Sequence, residues 1–260
     1  MTTFLHSVHR EYPALFWVAC FNALLILPSL AGLAFDPRQV AGINPWIKPL
    51  KFEISVAIYV LTVGWMLLNL PAAETSKRLI SFGVALTMAC EIAAIVFQAA
   101  RGVSSHFNEA TPFDGIVFAV MGLLITLNTL VAAWLTVLYF VTPTTHPPAL
   151  LWGIRLGLIL FLLASGEGFL IVRNMAHTVG APDGGPGLPF LNWSTQWGDL
   201  RVAHFLGMHG IQLLPLLGFL LSRHDRDAGV LPVAAVFTVL TAIFVVTLLQ
   251  AFAARPVLRL

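Results

Sequence analysis

Seven apolar runs of about twenty residues or more, punctuated by prolines and charges, leave this chain few ways to fold. A helix rising ~1.5 Å per residue needs roughly 20 residues to cross a ~30 Å hydrocarbon layer, and in lipid it satisfies its own backbone hydrogen bonds. The runs lie at approximately 13–35, 46–69, 79–100, 114–141, 149–175, 200–222 and 230–252. They are separated by Asp36-Pro37-Arg38, Pro71 with Lys77 and Arg78, Pro112, Pro143 with Pro147 and Pro148, and the charged turn Arg223 to Asp227. Only 10% of the 260 residues are charged and 58% are hydrophobic, whereas soluble domains carry about 25% charged residues. The expectation is an all-α polytopic membrane protein, a seven-transmembrane-helix bundle in a single transmembrane domain, 1–260. The fourth run exceeds one crossing by a turn or more, so it tilts or protrudes.

A formal net charge of +2 without any basic run gives nucleic acid no footing. Cys20 and Cys90 sit inside apolar runs, outside any CxxC, and read as small packing residues. The N-terminal His9-Arg10 and the apolar run after it have the outline of a secretory signal. That run continues to Phe35, well beyond a ~7–15-residue signal core, so an uncleaved first helix is expected. The implied setting is a bacterial inner (plasma) membrane, and the implied partners are membrane lipids and an amphipathic or small anionic ligand.

Seven crossings place loops 35–45, 101–113 and 176–199 on one membrane face, and most of the informative polar residues with them. Loop 176–199 starts Gly- and Pro-rich but ends "FLNWSTQWGD", which suits a folded cap rather than a linker. Lysine and arginine number eight on this face and six on the other, so the positive-inside rule does not orient the chain by raw count. With the basic residues near the polar loops set aside as functional, the short-turn face is the more basic and the polar loops fall outside the cytoplasm.

The third and fourth runs can be laid over the fifth and sixth. Glu91 is followed by Gln98, Arg101, a polar loop, Asp114 and Gly122; Glu167 is followed by Asn174 beside Arg173, a longer loop, Asp199 and Gly207. A seven-residue step returns two side chains to nearly one side of a helix, so each run carries a deep carboxylate and a shallower amide on one stripe. The pattern suggests parallel helical-hairpin repeats.

The candidate chemistry follows from depth. Glu167 lies six residues inside Arg173, about 9 Å by helical rise, and Glu91 lies ten inside Arg101. Ionisable groups at such depths are expensive and normally face a protein interior or watered cavity, where they carry protons or bind ligand. The structural alternative is interhelical glue, with Glu167 bonded to Asn128, Gln212 or a histidine of another helix. Gly166 and Gly168 clear space around Glu167. In "RVAHFLGMHGIQ", His204 and His209 are five apart and diverge by about 140°, so they cannot share a metal unaided, unlike the i, i+4 histidines of HExxH. Catalytic candidates are thus Glu91, Glu167, His204 and His209. Arg101, Arg173, Arg201, Lys51, His106, Asn108, Asn174, Trp193 and Asp199 are substrate-binding candidates, and Asp114 and Asp199 are placed to cap the helices they precede. Lys48 and Lys51 can snorkel to headgroups or hold an anion.

No lysine follows Lys77, which removes a retinal Schiff base, and no bis-histidine haem spacing, HExxH or Walker motif occurs. No metal or haem is supported by spacing, so the cofactor stays unknown. Two functional classes remain: an intramembrane enzyme acting on a lipid, isoprenoid or quinone-like substrate by acid/base or metal-assisted chemistry, and a proton-coupled transporter or small-ligand receptor using the same polar pocket.

Overall fold

The computed structural model describes residues 2–259. A short helix α1 (Thr2–Glu11) precedes α2 (Pro13–Phe35), α3 (Ile47–Leu68), α4 (Glu74–Arg101), α5 (Pro112–Val141) and α6 (Pro148–Asn174). The two-residue strands β1 (Thr178–Val179) and β2 (Gly198–Asp199) pair antiparallel and close the long loop. Then come α7 (Leu200–Met208), α8 (Gly210–His224) and α9 (Leu231–Phe252). Seven segments, with α7 and α8 forming one, are long and apolar enough to cross a membrane. The protein is an all-α, seven-helix, multi-pass membrane protein.

Local chemistry sets the ends. Pro13, Pro148 and Pro232 sit in first turns, where the missing N–H has no helical partner to lose. Gly102 ends α4 in the left-handed region, with φ of 73°. Asp199 caps α7 as expected, accepting the Arg201 N–H. At α5 the cap is Thr111 and not Asp114: the Asp114 N–H donates to Thr111 Oγ1 at 3.1 Å, and the Thr111 hydroxyl donates back to Asp114 Oδ2 at 2.6 Å. The sixth span, read from sequence as continuous, breaks at His209. There the imidazole Nδ1 lies 2.7 Å from the Phe205 carbonyl, competing with the backbone ladder, and Gly207 and Gly210 flank it with low helix propensity.

The chain forms two compact units, residues 1–135 and 136–260, with the boundary inside α5. In the first, α2, α3 and α4 pack together around Val60, Met66, Leu67, Ile80 and Ile92. Buried polar bonds tie them: Ser29 of α2 donates to Glu53 of α3 at 2.6 Å, and Asn128 of α5 joins Tyr59 of α3 and Thr87 of α4.

In the second unit α6 lies against α8 with almost no side-chain layer between them. A Cβ on Gly153 would fall 2.5 Å from the Leu214 carbonyl oxygen, and one on Gly218 would fall 2.4 Å from that of Ala149. Gly153 and Gly157 form a GxxxG step, the arrangement that lets backbones approach where lipid offers no hydrophobic drive. α9 covers this pair with Val233 and Phe244. Both units have a three-helix order of their own, α2–α3–α4 and α6–α7/α8–α9, with the first helix packed most extensively on the second. Leucines and phenylalanines such as Leu24, Leu123, Leu130, Phe219 and Leu249 are exposed, as lipid-facing surfaces require.

Candidate functional site

Each unit buries one glutamate beside one histidine. In the second, α6 carries Glu167 with its side chain almost wholly buried, and α7 brings His204 to it: Nδ1 lies 2.9 Å from Glu167 Oε2 and 3.0 Å from the Ala164 carbonyl oxygen. A carbonyl oxygen can only accept, so Nδ1 carries the proton and shares it between two acceptors. Nε2 then holds the lone pair in the neutral ring, and no hydrogen bond to it occurs among the described residues. The imidazole is 34% exposed. Glu167 Oε1 is buried without a partner. Gly168 is what admits the ring, since a Cβ there would lie 3.2 Å from His204 Cε1.

In the first unit, α4 carries Glu91, and the loop after α4 returns His106 over it, with Nε2 3.7 Å from Glu91 Oε1. On the other side of the ring, Lys48 Nζ and Ser105 Oγ each stand 3.1 Å from Nδ1. An ammonium only donates, so Nδ1 is the acceptor and the N–H points toward Glu91. Rings of Phe52, Phe107 and Phe118 surround the imidazole at centroid distances of 6.3, 6.0 and 6.2 Å. Glu91 Oε2 is buried without a partner.

The remaining candidates have local roles. Arg101 donates to Asp114 Oδ1 and Gln98 Oε1, both at 2.5 Å, and lies over the Phe97 and Phe113 rings. Arg201 forks onto Asp199 and donates to the Asn192 carbonyl, while Asp199 also accepts the Ser194 N–H at 2.7 Å. Both arginines are thus held by aspartates. Asn108 closes its own loop through Ser104 and Ala110, and Asn174, the last residue of α6, ties down the chain that follows by donating to the Ala176 and Thr178 carbonyls. Trp193 meets Phe205 edge-on, and Phe205 stacks on the partly buried His209. Arg173 is exposed at the end of α6, where a cation complements the helix dipole, and Lys51 is half-buried on α3. His204 bonds Glu167 and the Ala164 carbonyl, whereas His209 bonds the Phe205 carbonyl at the break between α7 and α8. Among the described residues no three of His, Cys, Asp and Glu gather as a metal site would need.

Two carboxylates outside the spans went unmarked in the sequence. Asp183 accepts the backbone N–H groups of His177 and Thr178 and sits 2.6 Å from His177 Nδ1. Burial pushes its carboxyl up, but these hydrogen bonds and the His177 charge outweigh that and hold it below the usual range. "APDGG" signals a turn, yet nothing in it says which backbone groups the aspartate will meet. Asp36 is lowered chiefly by hydrogen bonding from Arg38, with Trp46 adding a second donor. Lys48 and Ser105, also outside the candidate list, prove to be His106's neighbours.

Comparison with known proteins finds no matching family model, no matching curated protein and no matching solved structure.

Proposed function

We propose that this multi-pass membrane protein is an intramembrane enzyme using acid/base chemistry on an amphipathic substrate, with His204 transferring the proton and Glu167 orienting it. The observation that carries this reading is the Glu167–His204 pair. A buried carboxylate on Nδ1–H fixes the tautomer and stabilises the imidazolium, which leaves Nε2 as a base with no partner among the described residues. His204 lies five residues inside Asp199, about 7.5 Å by helical rise, a depth suited to the polar head of a lipid, isoprenoid or quinone. The exposed Arg173 on the same loop face suits an anionic part of such a molecule. We assign the loop face to the extracytoplasmic side on its charge pattern.

A second reading, proton-coupled transport, is favoured by the separate Glu91–His106 pair of the first unit. The two are divided by one experiment. Wild type, Glu167→Gln and His204→Gln are reconstituted in vesicles of extracted bacterial lipid, and lipid, isoprenoid and quinone species are followed by mass spectrometry. The enzyme reading expects a species that wild type converts and both variants leave intact. No conversion by wild type, accompanied by ligand-driven proton uptake into the vesicles, would overturn it in favour of transport.

A further inference from the structure

We propose that the loop after α4 is a proton-transfer element, with His106 carrying protons between the half-buried Lys48 and the buried carboxylate of Glu91. This stands apart from the Glu167–His204 reading and does not depend on it.

The parts form a line. Lys48 Nζ donates to His106 Nδ1 at 3.1 Å, and Nε2–H faces Glu91 Oε1 at 3.7 Å. In a transfer, an Nζ–H bond breaks as Nδ1–H forms, Nε2–H breaks as Oε1–H forms, and lysine regains its proton from water. The net change neutralises a lysine–glutamate charge pair until water reprotonates the amine, which suits a site of low dielectric. A gap of 3.7 Å is beyond hydrogen-bond reach, and a small ring rotation or one bridging water closes it.

The surroundings fit a guided transfer. Three phenyl rings stand around the imidazole with centroids 6.0 to 6.3 Å from its own. Phe107 holds a left-handed backbone, φ 55°, which a bulky side chain rarely adopts and which persists only where the structure over-determines it. That conformation sets its ring 5.5 Å from Phe118 and against His106. Glu91 Oε2 has no partner in a nearly closed environment, so the carboxyl has room to hold a proton.

α2 contains no charged residue or histidine. On α3, Glu53 is bonded to Ser29, and Lys48 is the cation that acts on Glu91; Lys51 stands a turn further along that helix. On α4, Lys77 pairs with Glu74 a few turns away from Glu91, and Arg101 at the helix end pairs with Asp114 of α5. His106, 22% exposed, completes the set from the loop.

The test is infrared spectroscopy on the full-length protein in lipid. The carboxyl C=O band is assigned to Glu91 by its loss in Glu91→Gln, and its hydrogen–deuterium shift is timed after transfer to deuterated buffer. Wild type should show a titrating band that exchanges promptly, and His106→Phe should slow the exchange at least tenfold while the band remains. His106→Gln, close in shape but unable to carry a proton, should slow it as well and serves if the phenylalanine variant does not fold. Unchanged exchange in either folded variant, or no Glu91 carboxyl band at any pH, would overturn the proposal.

Discussion

The two glutamate–histidine pairs are alike in composition and opposite in wiring. In the second unit the histidine turns its N–H inward to Glu167 and its lone pair outward; in the first it takes Lys48 on its outer nitrogen and presents the N–H inward to Glu91 across a longer gap. The first arrangement leaves an imidazole nitrogen free of partners among the described residues, and the second strings a histidine between a cation and a carboxylate. What makes the difference is the neighbour. A carbonyl and a carboxylate around one nitrogen force it to donate, and an ammonium forces it to accept. Helix packing differs in the same way: α6 and α8 touch backbone to backbone through glycines, whereas α2 and α3 are tied by the Ser29–Glu53 bond.

The largest expected effect tests the packing contrast. Gly218→Val places branched carbons against the Ala149 carbonyl and should cost about 3 kcal/mol or prevent folding. Gly64→Ala in the first unit meets only side-chain carbons, Val8 at 3.1 Å and Leu15 at 3.7 Å, so a shift of a few tenths of an ångström relieves it, and it should cost less than about 1 kcal/mol. Thermal unfolding in detergent reads both; equal losses would erase the contrast.

Next comes the loop that caps the second unit. Asp183→Asn weakens a carboxylate that accepts backbone N–H groups and should loosen the loop by about 1.4 kcal/mol, a roughly tenfold rise in hydrogen exchange at His177 and Thr178. Because the folded carboxyl lies below its ordinary value of about 3.9, its stabilisation is fully present above that pH and fades as pH falls toward the folded value. Wild type should therefore loosen below about pH 4 and Asp183→Asn should not follow it. A loop whose exchange loosens instead around neutral pH would point to His177 rather than Asp183.

A smaller effect separates the two glutamates. Glu167→Gln alters an existing interhelical hydrogen bond, so stability should fall by only ~0.6 kcal/mol while turnover disappears. Glu91→Gln breaks no hydrogen bond and removes a buried charge, so stability should hold or rise. A large loss in both would reduce the pairs to structural glue.

The last prediction has no energetic cost at all. Nitrogen NMR of neutral histidines should find the proton on Nδ1 in His204 and on Nε2 in His106. The same tautomer in both would abolish the wiring difference from which the two roles are argued.

By itself the sequence determined the class of protein and nearly every helix boundary, because span length and apolarity are properties of consecutive residues and lipid admits few backbone solutions. It also marked Glu91 and Glu167 by the anomaly of charge inside apolar runs, and Asp199 as a cap by its place before a helix. The close approach of α8 to Gly153 and Gly157 of α6 emerged only in the structure. Only the tertiary structure chose the partners: His204 rather than Asn128 or Gln212 for Glu167, Lys48 and Ser105 for His106, and aspartates for Arg101 and Arg201. The Asp114, His204 and Lys48 choices join residues 13 to 58 positions apart, and hydrogen-bond direction depends on which atom arrives across that separation. Periodicity along one helix carries no information about the atom facing it from the next.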